Sequence, residues 1–281
     1  MLTTVLAAAA LALAPAGRCE ARVLDYAGWR QAPGQEWDYR WSGGESRALT
    51  ILGAQHLRDP ADPQFARIAA AFAEARPTLA FYEGPDRGIA ADAEETIRSR
   101  GESGYVRYLA SQAGIEAHSL EPSPGQQIAM LLAEHPLDRV NLFFVLREAA
   151  RLREREGRTG AALDEAVRTL IERSAQMAAQ ARLALPVTDL ASLDAATRRY
   201  WPGRDWRALP LEWFSPRAED AMTGGVFLGA INRSDSMNRD RYMVSQLVEA
   251  ARLGNRVFVV VGRNHVPMQK PALDCALRGG A

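Results

Sequence analysis

The chain has 281 residues, of which 47% are hydrophobic, and its 34 basic and 34 acidic side chains cancel. That length and apolar content suffice for one sizeable core, as a single large domain or a domain with an insertion. The balanced charge argues against a general nucleic-acid or membrane-surface binder, which needs a basic excess.

Residues 1–16 carry no charged side chain and close on Ala14-Pro15-Ala16, a small-residue cleavage pattern. They read as a secretory signal peptide, which implies a periplasmic or secreted protein; a buried N-terminal helix is the alternative. No second long apolar run follows, so no stable membrane span is expected. Arg18 before Cys19 argues against a lipid-anchored cysteine. Cys19 and Cys275 stand at opposite ends of the remaining chain. In an oxidising compartment they can pair and tie the ends together, or they can remain two free thiols.

A loop or short hairpin is expected over residues 22–47, rich in Trp, Gly and charge. Ala48-Leu-Thr-Ile-Leu52 then reads as a buried strand, followed by Gly53-Ala-Gln-His56. Asp62 and Pro63 fit the N-cap and first position of a helix that presents Phe65, Ile68, Ala69 and Phe72 on one face and stops at Pro77. Thr78-Leu-Ala-Phe-Tyr82 is a second strand, ending in Glu83-Gly84-Pro85. Residues 86–102 are polar and loosely helical, Tyr105 to Ala113 reads as a helix, and Gly114 suits its end. Ile115 to Leu120 forms a third strand, followed by Glu121. His118 on it is expected to face the core, and His135, before Pro136, to lie on the surface.

A helical insertion is expected at about 124–200, broken at Gly157 and Gly160. Residues 200–216 hold Trp201, Trp206 and Trp213 and read as neither helix nor strand. They can form a lid over a site, or pack a long connection onto the core. A helix from Met237 to Leu253 follows, with Arg239 in its first turn. It delivers the chain into Val257 to Val261, five apolar residues that read as a strand buried on both faces. Gly262 ends that strand and His265 follows. Strands alternating with helices predict an α/β fold, with a mainly parallel central sheet flanked by helices and the helical insertion between its two halves.

Two of the four histidines, His56 and His265, thus lie three residues after a glycine that ends an apolar strand. Glu83 and Glu121 also follow strands directly. Open α/β sheets keep their ligands at the carboxyl ends of their strands. Two imidazoles and one or two carboxylates gathered there are a candidate site for a divalent metal such as Mn, Co or Zn. His56, His265 and Glu83 would hold the metal, a second carboxylate such as Glu121 would serve as general base, and Arg239 would bind an anionic group. No Gly-x-Ser-x-Gly elbow, Walker loop or His-Glu-x-x-His motif occurs.

Gly53-x-x-His56, Glu83, Glu121 with Gln126 or Gln127, Arg239-Asp240-x-x-Met243 and Gly262-x-x-His265 occur in that order over residues 48–268. This pattern resembles the TraB/GumN family, part of the wider group of TIKI metalloproteases, erythromycin-esterase-like proteins and haem-binding ChaN lipoproteins. The resemblance implies a single α/β domain over residues 17–281 with His56, Glu83, His265 and Arg239 at one site and Glu121 beside them. A GumN-like arginine motif usually reads Arg-Asn; Arg239-Asp240 is nearer the ChaN and esterase-like branches. Two activities follow from the resemblance. One is a metal-dependent hydrolase acting on a peptide or small-molecule substrate. The other is a ChaN-like binding protein for haem or another small ligand.

Overall fold

The computed structural model describes residues 17–32, 36–180 and 183–279. The expected signal peptide, residues 1–16, lies outside the described residues. In chain order the elements are α1 (Tyr26–Gln31), β1 (Asp38–Ser42), β2 (Ala48–Ala54), α2 (Pro63–Ala75), β3 (Leu79–Tyr82), α3 (Ala93–Gln112) and β4 (Glu116–Ser119). They continue with α4 (Pro124–Leu132), α5 (Leu137–Glu156), α6 (Gly160–Gln180), α7 (Leu190–Tyr200), α8 (Asp220–Thr223), α9 (Leu228–Arg252), β5 (Arg256–Gly262) and α10 (His265–Arg278).

The fold is α/β. Five strands form one sheet in the order β1-β2-β5-β3-β4, parallel except for β1, which closes a hairpin with β2 at the edge. The last strand in sequence is therefore the middle strand in space. That position explains the composition of β5. Both of its faces are covered, and Val257 to Val261 are at most 1% exposed. Burying each such side chain contributes about 1.5–3 kcal/mol before entropy is subtracted.

One side of the sheet is covered by α2 and α3, with Phe65, Ile68, Phe72, Val106 and Phe258 in a shared core. The other is covered by α9 and α10 through Met243, Leu247, Val259 and Leu273. A third core lies among α5, α6, α7 and the first turns of α9. Trp201, Trp206 and Trp213 are buried in it, the last two on short 3-10 turns at Trp206–Ala208 and Leu211–Phe214. The Trp-rich stretch packs a connection onto the core. Cys19 and Cys275 form a disulfide that ties the segment before α1 to α10.

α3, Ala93 to Gln112, is two helical pieces joined across a kink at Gly101, whose φ of 66° lies in the left-handed region, in keeping with the loosely helical segment and separate helix read from the sequence. Three details differ from the sequence expectation. α9 begins nine residues before Met237, so Arg239 lies well inside the helix. Its N-cap, Phe227, makes no side-chain cap; the Asp220 carboxylate accepts from Gly229 N and Ala230 N at 2.8 and 2.9 Å. A cap supplied from another segment leaves no local start signal to read. His118 does not face the core: it lies on the edge strand β4, its side chain is 54% exposed, and Nε2 stands 2.9 Å from Glu116. His135 is half-buried, not superficial, with Nε2 2.8 Å from Ser234 Oγ.

Candidate functional site

β2 and β5 are parallel neighbours, with Gly53 opposite Val261 and Ala54 opposite Gly262. The two Gly-x-x-His segments therefore leave the sheet side by side. β3 flanks β5 on its other side, and Glu83 follows β3; β4 lies beyond, and Glu121 follows it. Across the carboxyl edge the side chains occur in the order His56, His265, Glu83, Glu121. Arg239 and Asp240 reach the same edge from α9.

Gly262 is the point on which three of these side chains converge. A Cβ added there would stand 3.1 Å from Glu83 Oε2, 3.3 Å from His56 Nε2 and 3.5 Å from His265 Cδ2. Gly262 N donates to Glu83 Oε2 at 2.5 Å. Gly53 serves a different need. A Cβ there would approach Trp37 O to 2.6 Å and Arg263 Cα to 2.8 Å, so the glycine lets two backbone segments meet beneath the site.

Each histidine is held from behind by a carboxylate. His265 Nδ1 lies 2.6 Å from Asp240 Oδ1, and Asp240 is fully buried. Gln269 Nε2 also donates to Asp240 Oδ1, at 2.7 Å. His56 Nδ1 lies 2.5 Å from Glu102 Oε1, and Glu102 is buried beside the bend of α3. A carboxylate on Nδ1 favours the Nδ1–H tautomer and leaves Nε2 as the free donor atom. His265 Nε2 lies 3.4 Å from Glu83 Oε1, and His56 Nε2 faces Gly262. The two rings differ in access: the His265 side chain is 12% exposed and that of His56 69%.

Arg239 and Glu121 form a bidentate pair. Arg239 Nε and Nη2 donate to the two Glu121 oxygens at 2.8 and 2.5 Å, and Gly84 N adds a contact of 3.3 Å. Arg239 Nη2 stands 3.5 Å from Glu83 Oε1. Glu121 is therefore engaged in holding Arg239, and Arg239 directs its charge at Glu83. Gln126 completes a capping box with Ser123, and Gln127 binds Asp235 at 2.6 Å, so neither reaches Glu121 by a hydrogen bond.

The charges shift one another. Burial pushes Glu83 up, but His265, Arg239 and the Gly262 N–H together bring it far below the usual carboxylate range. Burial pushes His265 down, and the charges of Asp240 and Glu83 outweigh it, so its pKa rises well above 6.5. The hydrogen bond that His56 donates to Glu102 raises the pKa of His56. His265 thus lies between two carboxylates, Asp240 and Glu83, both of which favour its protonated form. A metal at this point would compete with a proton for Nε2.

The donor set fits a divalent cation in kind, two imidazoles and a carboxylate with both rings oriented by buried acids. The spacing is wider than in a closed site: among the described residues no three His, Cys, Asp or Glu side chains are placed to grip an ion as they stand. Strand-end position in the sequence points to His56, Glu83, Glu121 and His265, and the helix before the last strand points to Arg239; all five meet at this edge. It points to neither Glu102 nor Asp240. Asp240 is legible as the neighbour of Arg239 on one helix, turned by about 100° from it. Glu102 carries a weaker signal, a charged residue between Gly101 and Gly104.

No protein-family profile matches this chain, and no curated protein or solved structure matches it either. The resemblance to the TraB/GumN family rests on the motifs alone.

Proposed function

We propose that the protein is a metal-dependent hydrolase of TraB/GumN type, acting on a peptide or small-molecule substrate. One observation carries this reading: His56 and His265 present Nε2 toward Glu83 and Gly262 while buried carboxylates hold both Nδ1 atoms. His56, His265 and Glu83 would hold the cation, with Mn, Co or Zn suited to those donors. A divalent cation there supplies Lewis acidity for attack of water on a carbonyl or ester centre. Glu102 and Asp240 orient the rings. His265 and Arg239, the latter fixed by Glu121, keep Glu83 ionised and therefore able to bind a cation. Gly262 leaves the space in which the reacting group sits.

The disulfide between Cys19 and Cys275 supports an oxidising location, periplasmic or secreted. A haem-holding role draws no support from the tryptophans of residues 200–216, which are buried in a core cluster distinct from those of the sheet and do not line the cleft beside His56. The test is elemental analysis of the purified protein beside His56→Ala and His265→Ala. Near-stoichiometric transition metal in the native protein, lost in both folded variants, supports the reading. No metal after loading with Mn, Co or Zn, or a haem Soret band in its place, overturns it.

A further inference from the structure

The cleft that opens beside His56 and Glu83 has a volume of about 440 Å³, within the size range of small-ligand pockets. Its walls are unusual for a chain with no net charge. Six arginines line it: Arg58 from the segment after β2, Arg87 from the segment after β3, Arg100 and Arg107 from α3, and Arg151 and Arg155 from α5. The acids lining it are Glu83 and Glu102, and both are already committed. Glu83 faces His265 and Arg239, and Glu102 holds His56.

Arg107 pairs with Asp86, and Arg151 with Glu148 at 3.0 Å. Among the described residues, Arg58, Arg87, Arg100 and Arg155 have no carboxylate within ion-pair distance. Arginines gathered from four separate segments around one concavity repel one another. Removing an anion partner from such a cluster raises its energy, and supplying one lowers it. Their planar forks match phosphate and carboxylate oxygens. Focusing by the cleft walls adds to the attraction of each fork alone.

We infer that the substrate delivered to His56 and Glu83 is a compact polyanion, bearing phosphate groups or clustered carboxylates, held by the arginine wall of this cleft. This rests on the hydrolase reading for the word substrate, while the binding itself does not. α5 thereby acquires a role in the site, since Arg151 and Arg155 bring charge from the helical segment to the sheet edge. A neutral or cationic substrate would leave the positive charge lining this cleft uncompensated.

The experiment is titration calorimetry on the full chain, stripped of metal with a chelator and then dialysed into chelator-free, metal-free buffer, so that neither a metal nor a competing polyanion contributes. The probes are inorganic pyrophosphate, the tripeptide Glu-Glu-Glu, and the tripeptide Ala-Ala-Ala as control. At least one polyanion should bind about tenfold or more tightly than the control, weakening as salt is added. Pyrophosphate alone would mark a phosphate-bearing substrate, and Glu-Glu-Glu alone an acidic peptide; either supports the inference. The double variant Arg87→Ser/Arg155→Ser alters exposed side chains, keeps the fold, and should lose about tenfold or more of that affinity. Polyanions binding no better than Ala-Ala-Ala, or binding the variant as well as the native chain, would overturn the inference. Metal content, read separately, decides the hydrolase reading without touching this result.

Discussion

A single methyl group at residue 262 tests whether His56, Glu83 and His265 share one space. Gly262 does not have a positive φ, so alanine there meets no backbone strain. Its Cβ would stand 3.1 Å from Glu83 Oε2 and 3.3 Å from His56 Nε2, each a few tenths of an ångström too close. Glu83 cannot retreat without stretching its 2.5 Å bond from Gly262 N, whereas His56, at the open mouth, can swing outward. Crowding a packed site costs about 1–3 kcal/mol. Replacing glycine restores about 0.4–1 kcal/mol by restricting the unfolded chain. The net loss is about 0–2.5 kcal/mol, at about 2–4 °C of Tm per kcal/mol in a chain of this size. Gly262→Ala should fold. Its affinity for Co or Zn should fall about 100-fold, because the methyl occupies the point the donors face. Thermal melting followed by metal titration reads both effects. A folded Gly262→Ala that binds metal within about threefold of the native chain would refute the shared space. Gly53→Ala is the contrast: its Cβ would meet backbone at 2.6 and 2.8 Å, which cannot yield. It should cost about 3 kcal/mol or more, or prevent folding, as read by urea denaturation.

Three further outcomes follow from the ion pairs and the disulfide. Arg239→Met or Glu121→Gln alone should cost about 1.5–3 kcal/mol, because each strands a partly buried charged partner, and the double variant should cost less than their sum; urea denaturation yielding strictly additive losses would deny the pairing. The metal-free protein should be most stable between about pH 4.5 and 6.5. His265, raised in the fold, contributes fully below 6.5 and loses its contribution as pH rises through its folded value, and Glu83, depressed, contributes above 4.5 and loses it as pH falls. Thermal melts across pH in EDTA, with His265→Gln as reference, check the sign, and native stability rising relative to the variant above pH 6.5 would contradict it. Reducing the disulfide, which spans 256 positions, should lower stability by about 2–5 kcal/mol in melts with and without reductant; an unchanged Tm would mean that the bridge does not form.

The central strand and the residues at the carboxyl edge are legible because their signals are local. Val257 to Val261 are an unbroken β-branched and aromatic run that ends at a glycine, as a strand covered on both faces does, and His56, Glu83, Glu121 and His265 each follow a strand within a few residues. The start of α9 is hidden for the opposite reason. It is capped by Asp220, eight residues before Leu228. Edge position likewise settles His118, since no local pattern distinguishes β4 from an interior strand.

The α/β alternation, the chemistry available at the strand ends and the glycine before each histidine are written in the order of the residues. The folded chain alone sets the last strand in the middle, so that the two Gly-x-x-His segments become neighbours across 209 positions of chain. It also selects the acids that serve the site. Glu102 and Asp240 lie far from their histidines in sequence, and only the sheet order brings each to an Nδ1 atom. Local propensity is carried by neighbouring residues, whereas ring orientation, buried charge and the arginine wall arise from contacts between segments that meet only once the whole chain has folded.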